Sequence, residues 1–196
     1  MQKITFRQRT IVDLARKIIL ADGMESLTTR RLAKDLGVTD GALYRHFKSK
    51  KEIISLLVDD IQVTLLSLIN SASEKEDKPL RKLESIFFSH LSYAEQRKGT
   101  TFIVINEILN IKDNKLRNKM LEAIIQYLKT VEKILVEGMK ANDFKGDIDP
   151  ACASIMFFGA VQSMITLWGL SGYKFSLRRD RLKKMFNIYK SGILRK

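Results

Sequence analysis

The stretch L-T-T-R-R-L-A-K-D-L-G-V-T-D-G-A-L-Y-R-H-F-K-S-K, residues 27–50, decides how the rest of the chain is read. Leu32, Ala33 and Leu36 recur at helical spacing behind Thr28 and Thr29, either of which can accept a first-turn N–H, so the spacing predicts a short helix opened by one of these threonines. Gly37 then allows the positive φ of a tight turn. Thr39 caps a third helix, with Val38 and Leu43 at the two positions of a hydrophobic staple. Ala33 is small where two helices approach, while Leu32, Leu36, Val38, Leu43 and Phe47 are apolar where such a pair needs a core. The unit reads as a helix-turn-helix.

Gly41 sits in the first turn of the third helix, where glycine costs roughly 0.5 to 1 kcal/mol relative to alanine but lets backbone approach a partner closely. Around it the helix presents Asp40, Ala42, Tyr44, Arg45 and His46, followed by Lys48, Lys50 and Lys51. Arginine grips guanine bidentately, aspartate accepts from cytosine, and tyrosine or lysine holds phosphate, so these side chains suit a major groove. Phe47 reads as a core anchor; Tyr44 reads as a phosphate contact, because its hydroxyl needs a partner on the basic side. Asp40 has two readings, base contact or favourable placement at a positive helix N-terminus.

Residues 27–50 resemble the DNA-binding segment of the tetracycline-repressor (TetR) family, and the close match covers about residues 7–55. The remainder is similar in helix number and length. The resemblance implies a homodimeric transcription regulator, usually a repressor, that releases a near-palindromic operator when a small molecule enters its second domain. Carried over by position, Thr28 and Thr29 hold phosphate at the start of the second helix and Arg30 reaches a base. Thr39, Asp40, Gly41, Tyr44, Arg45 and His46 form the groove-facing surface; Lys48 follows, and Lys50 takes the phosphate after the third helix. Arg45 stands where an aromatic residue is common in the family.

Only two prolines and ten glycines, with apolar residues recurring at three and four, predict an all-α chain of about nine helices. Ile11, Leu14, Ala15 and Ile18 stripe the first, which Gly23 stops. Beyond Lys50 the helices lengthen, striped by Ile53, Leu57 and Ile61, then by Leu83, Phe87 and Leu91, then by Leu116, Met120 and Val131. The expected division is a three-helix DNA-binding domain over 1–49 and a helical ligand-binding and dimerisation domain over 50–196.

Charge follows that division. Thirty-five Lys and Arg against 22 Asp and Glu give +13, distributed as +6 over 1–52, −1 over 53–173 and +8 over 174–196. Such a balance favours a polyanionic partner. The basic C-terminal block reads as a solvated outer face.

The neutral middle is where a sensor fits. His90, Tyr93, Asn106, Tyr127, Gln162 and Thr166 are polar groups scattered among apolar ones, the composition of a cavity for a lipophilic small-molecule effector. His90 follows Ile86 and Phe87, so a satisfied core histidine is its other reading. A DNA-binding repressor or architectural protein without a ligand is the alternative function. By the resemblance, the last two helices of each subunit pair into a four-helix bundle; Ala153, Gly159, Ala160 and Ser163 would let two copies approach, and the apolar face of 182–193 would complete the interface.

Several classes are expected to be absent. A single cysteine, Cys152, excludes an intramolecular disulfide and reads as a small core residue, and two histidines are too few for a structural zinc, so no metal or cofactor is expected. Asp59 and Asp60 are adjacent and point different ways on a helix; without clustered carboxylates or a nucleophile beside a base, the chain reads as no enzyme. The start M-Q-K-I-T-F-R-Q-R lacks the apolar run of a secretory signal, so a cytoplasmic location is expected. Residues 151–173 carry no charge and are long enough to span a bilayer, but Gln162 and the serines and glycines favour a buried core helix and no membrane partner.

Overall fold

The computed structural model describes residues 5–45, 47–177 and 180–195. Among the described residues there are nine α-helices: α1 (Phe6–Asp22), α2 (Thr29–Leu36), α3 (Asp40–Tyr44), α4 (Lys50–Glu74), α5 (Pro79–Gln96), α6 (Thr100–Asn110), α7 (Asn114–Lys140), α8 (Pro150–Leu170) and α9 (Asp180–Ile193). A 3₁₀ turn, Met24–Ser26, and one isolated bridge between Phe144 and Leu194 complete the regular structure described.

Helix limits follow local chemistry. Thr5 and Gln8 form a reciprocal capping box at the start of α1, each side chain accepting the other's backbone N–H. Prolines 79 and 150 open α5 and α8, where a missing N–H costs nothing, and Asp149 caps α8 by accepting the Cys152 N–H at 2.7 Å.

The chain packs as two compact units, Met1–Thr64 with Thr100–Met120, and Leu65–Gly99 with Leu121–Lys196. In the first, Ile11, Val12, Ala15 and Ile18 of α1 join Leu32, Ala33, Leu43, Phe47, Ile53, Leu57 and Val104 in one core. Arg16 and Asp60, both buried, form a hydrogen-bonded ion pair inside it. Asp59 points the other way and pairs with Lys119 at 2.7 Å, as adjacent positions on a helix require.

In the second unit α5 packs on α8 and α9. Phe87 is the hub, its ring 5.8 Å from Phe157 and 5.4 Å from Phe186. Tyr189 closes the cluster, its hydroxyl donating to the Ala153 carbonyl at 3.1 Å.

Three expectations need correction here. Helix α8 is not buried on all sides: Ala153, Phe157, Val161, Met164 and Trp168 face inward, while Ile155, Met156, Leu167 and Leu170 are exposed. It is long and apolar enough to cross a membrane, and only 39% of its most apolar window is buried. Cys152 is exposed, because it lies with Ala151 on the outward side of the first turn of α8 while Ala153 faces inward. Leu182, Phe186 and Ile193 of α9 are used within the unit itself, so the outward face of α9 carries Lys184, Ile188 and Gly192 instead.

Gly138 lies inside α7 with the buried Phe144 ring directly against its backbone, and a methyl group there would overlap the ring. Alanine in a helix interior ordinarily stabilises by about 0.5 to 1 kcal/mol over glycine. Gly138→Ala should instead destabilise by roughly 1 to 3 kcal/mol, measured by urea denaturation, because a rigid ring cannot yield as a flexible side chain would.

Candidate functional site

The two-helix unit is fixed at each of its corners. Thr28 caps α2, its hydroxyl accepting the Arg31 N–H at 3.1 Å. Gly37 adopts φ 67°, ψ 29°, and the N–H groups of Gly37 and Val38 reach back to the Lys34 and Ala33 carbonyls at 3.1 and 3.0 Å. Thr39 then caps α3 by accepting the Ala42 N–H at 3.2 Å, with Leu43 buried and Val38 half-buried as the staple needs. Phe47 is buried, as the pattern predicts. The third helix is shorter than its sequence pattern, since Arg45 already stands outside it as the C-cap.

On this frame Thr28, Arg30, Thr39, Asp40, Gly41, Tyr44, Arg45 and Lys48 are exposed and Thr29 is half-buried. His46 lies outside the described residues. The two neighbouring arginines have different fates. Arg31 is held by Asp35 at 2.8 Å and Asp22 at 3.2 Å, and the Asp35 hydrogen bond, foremost, raises its pKa; Arg30 has no ion pair among the described residues. Arg31 therefore braces α2 while the Arg30 side chain stands exposed.

Tyr44 is 49% exposed, and its oxygen accepts from the Thr29 hydroxyl at 3.1 Å. That bond ties the start of α2 to the end of α3 and leaves the phenolic hydrogen to donate outward.

Lys50 departs from the expectation of a free phosphate ligand. Its ammonium donates to the Met24 carbonyl at 2.7 Å and lies 3.6 Å from Glu107, because the first turn of α4 points it across the unit toward α6. Lys51 lies 3.4 Å from Asp113, whose carboxyl is held below its usual range by the Leu116 N–H and by Lys51. Lys48 remains exposed and has no ion pair among the described residues.

Of the sensor candidates, the structure brings His90 and Tyr127 together: His90 Nδ1 is 3.3 Å from the Tyr127 hydroxyl, and the Phe158 ring packs against both. Burial pushes the His90 pKa down to about 4 and pushes Tyr127 up, so both are neutral near pH 7. Tyr93 is also buried. Gln162 and Thr166 are half-buried on α8, and the Thr166 hydroxyl is already given to the Gln162 carbonyl at 2.9 Å. Asn106 is not one of the group: it is exposed on α6, in the first unit.

Sequence reasoning missed Trp168, whose buried indole N–H meets no acceptor among the described residues. Being the chain's one tryptophan was its only signal. A cavity of about 560 Å³ in the second unit is lined by Glu74, Glu76, Asp77, Lys82, Lys129 and Lys133, a charged set suited to a polar occupant.

Two predictions follow from this geometry. A side chain at Gly41 would meet nothing within 4 Å. Gly41→Ala should therefore raise stability by roughly 0.5 to 1 kcal/mol while weakening DNA binding, a split read by thermal melting against fluorescence anisotropy. For His90, the unfolded chain takes up a proton below about pH 6.5 that the native chain, near 4, refuses. Its contribution to stability is thus present above about pH 6.5 and lost as pH falls toward 4. The stability gap between the wild-type chain and His90→Asn should narrow by about 2 kcal/mol from about pH 7 to pH 4.5.

Comparisons with known proteins agree with the architecture. Residues 11–57 match the family model of bacterial regulatory proteins, tetR family, and residues 59–190 match that of YsiA-like protein, C-terminal region. The chain is 26% identical over 174 residues to the nucleoid occlusion factor SlmA of Vibrio cholerae, covering 89% of each. It is 26% identical over 167 residues to the fatty acid metabolism regulator protein of Bacillus subtilis, covering 85% of this chain and 86% of that one. The solved structure of the transcriptional regulator FadR from Bacillus subtilis in complex with stearoyl-CoA shares the fold, with a TM-score of 0.83 and 24% identity over 96% of this chain and 100% of the other. With the capped two-helix unit matched by one model and the helical remainder by the other, the chain belongs to the tetR family of bacterial regulatory proteins, DNA-binding regulators of transcription.

Proposed function

We propose that this regulator is a homodimeric repressor that leaves a near-palindromic operator when a lipophilic effector of the acyl class binds its second unit. The observation that carries the DNA reading is the exposed row Arg30, Asp40, Gly41, Tyr44 and Arg45 on a frame whose own polar needs are already met. Arg30 and Arg45 read base edges, Gly41 admits the backbone, and Thr28, Thr29, Tyr44 and Lys48 hold phosphates. Thr39 and Asp40 line the same surface, and His46 belongs to it by the family resemblance. A regulator acting on bacterial DNA would work in the cytoplasm.

Dimerisation rests on the outward face of α8, where Ile155, Met156, Leu167 and Leu170 stand beside small Gly159 and Ser163, extended by Ile188 of α9. A second copy would cover this apolar surface and set two recognition helices about 34 to 36 Å apart, one per major groove.

The effector reading is supported by the Bacillus subtilis relative, named for fatty acid metabolism and solved with stearoyl-CoA. In this chain the neutral His90 and Tyr127 pair and the indole N–H of Trp168 are polar groups set in an aromatic interior, able to orient an effector's carbonyl. The effector's leverage is bounded by its differential affinity for the two dimer states. A second reading, DNA binding without a small molecule, is favoured by the similarity to a nucleoid occlusion factor.

Selection of bound DNA from a random pool tests the proposal. A palindrome should emerge, and Arg45→Ala should relax one half-site position at a cost of roughly 1 to 3 kcal/mol. Long-chain acyl-CoA should then release the selected duplex. Unchanged affinity across acyl, aromatic and sterol compounds would leave the second reading standing; a pool with no enriched sequence would sink both.

A further inference from the structure

The lysines that open α4 are already engaged. Lys50 donates to the Met24 carbonyl at 2.7 Å and lies 3.6 Å from Glu107 on α6, while Lys51 lies 3.4 Å from Asp113 in the turn before α7. All these residues belong to the first unit. Both carboxylates are largely enclosed, the Glu107 side chain being 20% exposed and that of Asp113 22%. Asp113 is also fixed independently, since it accepts the Lys115 and Leu116 N–H groups at 3.0 and 3.1 Å. A third pair anchors the same stretch further along: Lys119 binds Asp59 at 2.7 Å and the Ser55 hydroxyl at 2.7 Å.

We infer that Glu107 and Asp113 form an acidic latch that competes with DNA phosphates for Lys50 and Lys51. A lysine neutralised by a carboxylate releases no counterion from the duplex when it docks, so each closed pair withholds one phosphate contact from the binding equilibrium. Lysine has three donor hydrogens, so the Met24 carbonyl can keep Lys50 aimed while Glu107 is exchanged for phosphate. Lys48, two residues before Lys50, is exposed and lies outside the latch. The position of α6 then sets how many lysines of the α4 start are available. This regulation rests on the DNA-binding reading but not on any effector.

Glu107→Gln removes one arm of the latch, and Asp113→Ser removes the other while retaining a hydroxyl able to cap α7. Full-length variants would be titrated against the selected operator and an unrelated duplex by fluorescence anisotropy, from about 50 to 300 mM salt, where phosphate contacts dominate the salt response. Each variant should bind both duplexes several-fold more tightly at low salt, and the slope of log K against log salt should steepen by about 0.9 per freed lysine. Adding Lys50→Ala to Glu107→Gln should abolish the gain. Variants that melt like the wild-type chain but bind equally or more weakly, with the slope unchanged, would overturn the latch and make the carboxylates positioning residues. A wild-type chain that bound neither duplex would overturn the DNA-binding reading itself, a result distinct from unchanged slopes.

Discussion

A helix of five residues cannot hold itself together. Nucleation fixes several residues for one hydrogen bond, and α3 ends before propagation offsets that cost. Its stability is therefore borrowed from its ends and from the core beneath. Thr39 satisfies an orphan N–H at the start, and Leu43 is buried in the middle. The Phe47 N–H returns to the Leu43 carbonyl at 2.9 Å, which ties the exit to the helix. The same dependence explains why α2 is capped, ended by a left-handed glycine and braced by Arg31 against Asp22 and Asp35. Because support comes from beneath, the outer surface is released from structural duty and can carry Gly41 and Arg45.

Charge is distributed on a similar principle. The formal excess of +13 overstates what a polyanion meets. Arg16 is buried with Asp60, Arg31 is spent on α2, and Lys50, Lys51 and Lys119 face carboxylates. The cations left open in the first fifty residues include Arg30, Arg45 and Lys48 around α2 and α3, together with Arg7, Arg9 and Lys17 of α1 and Lys34 of α2.

The sequence announced the elements whose information is local. Periodicity, caps and turn glycines are read from neighbouring residues, which is why α1 to α3 were legible. What it concealed depends on partners distant in the chain. Lys50 meets Glu107 only once α6 has packed, and Asn106 looked like a sensor residue until α6 joined the first unit rather than the second. A helix apolar all round, such as α8, gives no sign of which face will be inside; the exposure of Cys152 followed from the same ambiguity. Beyond being the chain's one tryptophan, Trp168 had no signal, because an unmet hydrogen bond is a property of surroundings and not of a residue.

The outward face of α8 has a consequence for the regulator's abundance. Leu170 is 80% exposed and Met156 68%, an apolar surface of the kind that chaperones and cellular proteases recognise in orphan subunits. In the proposed homodimer a second copy would hide that surface, while a chain without one would be drawn toward degradation. Turnover then falls hardest on unpaired chains, so the cell's supply of the regulator would vary more steeply than its rate of synthesis.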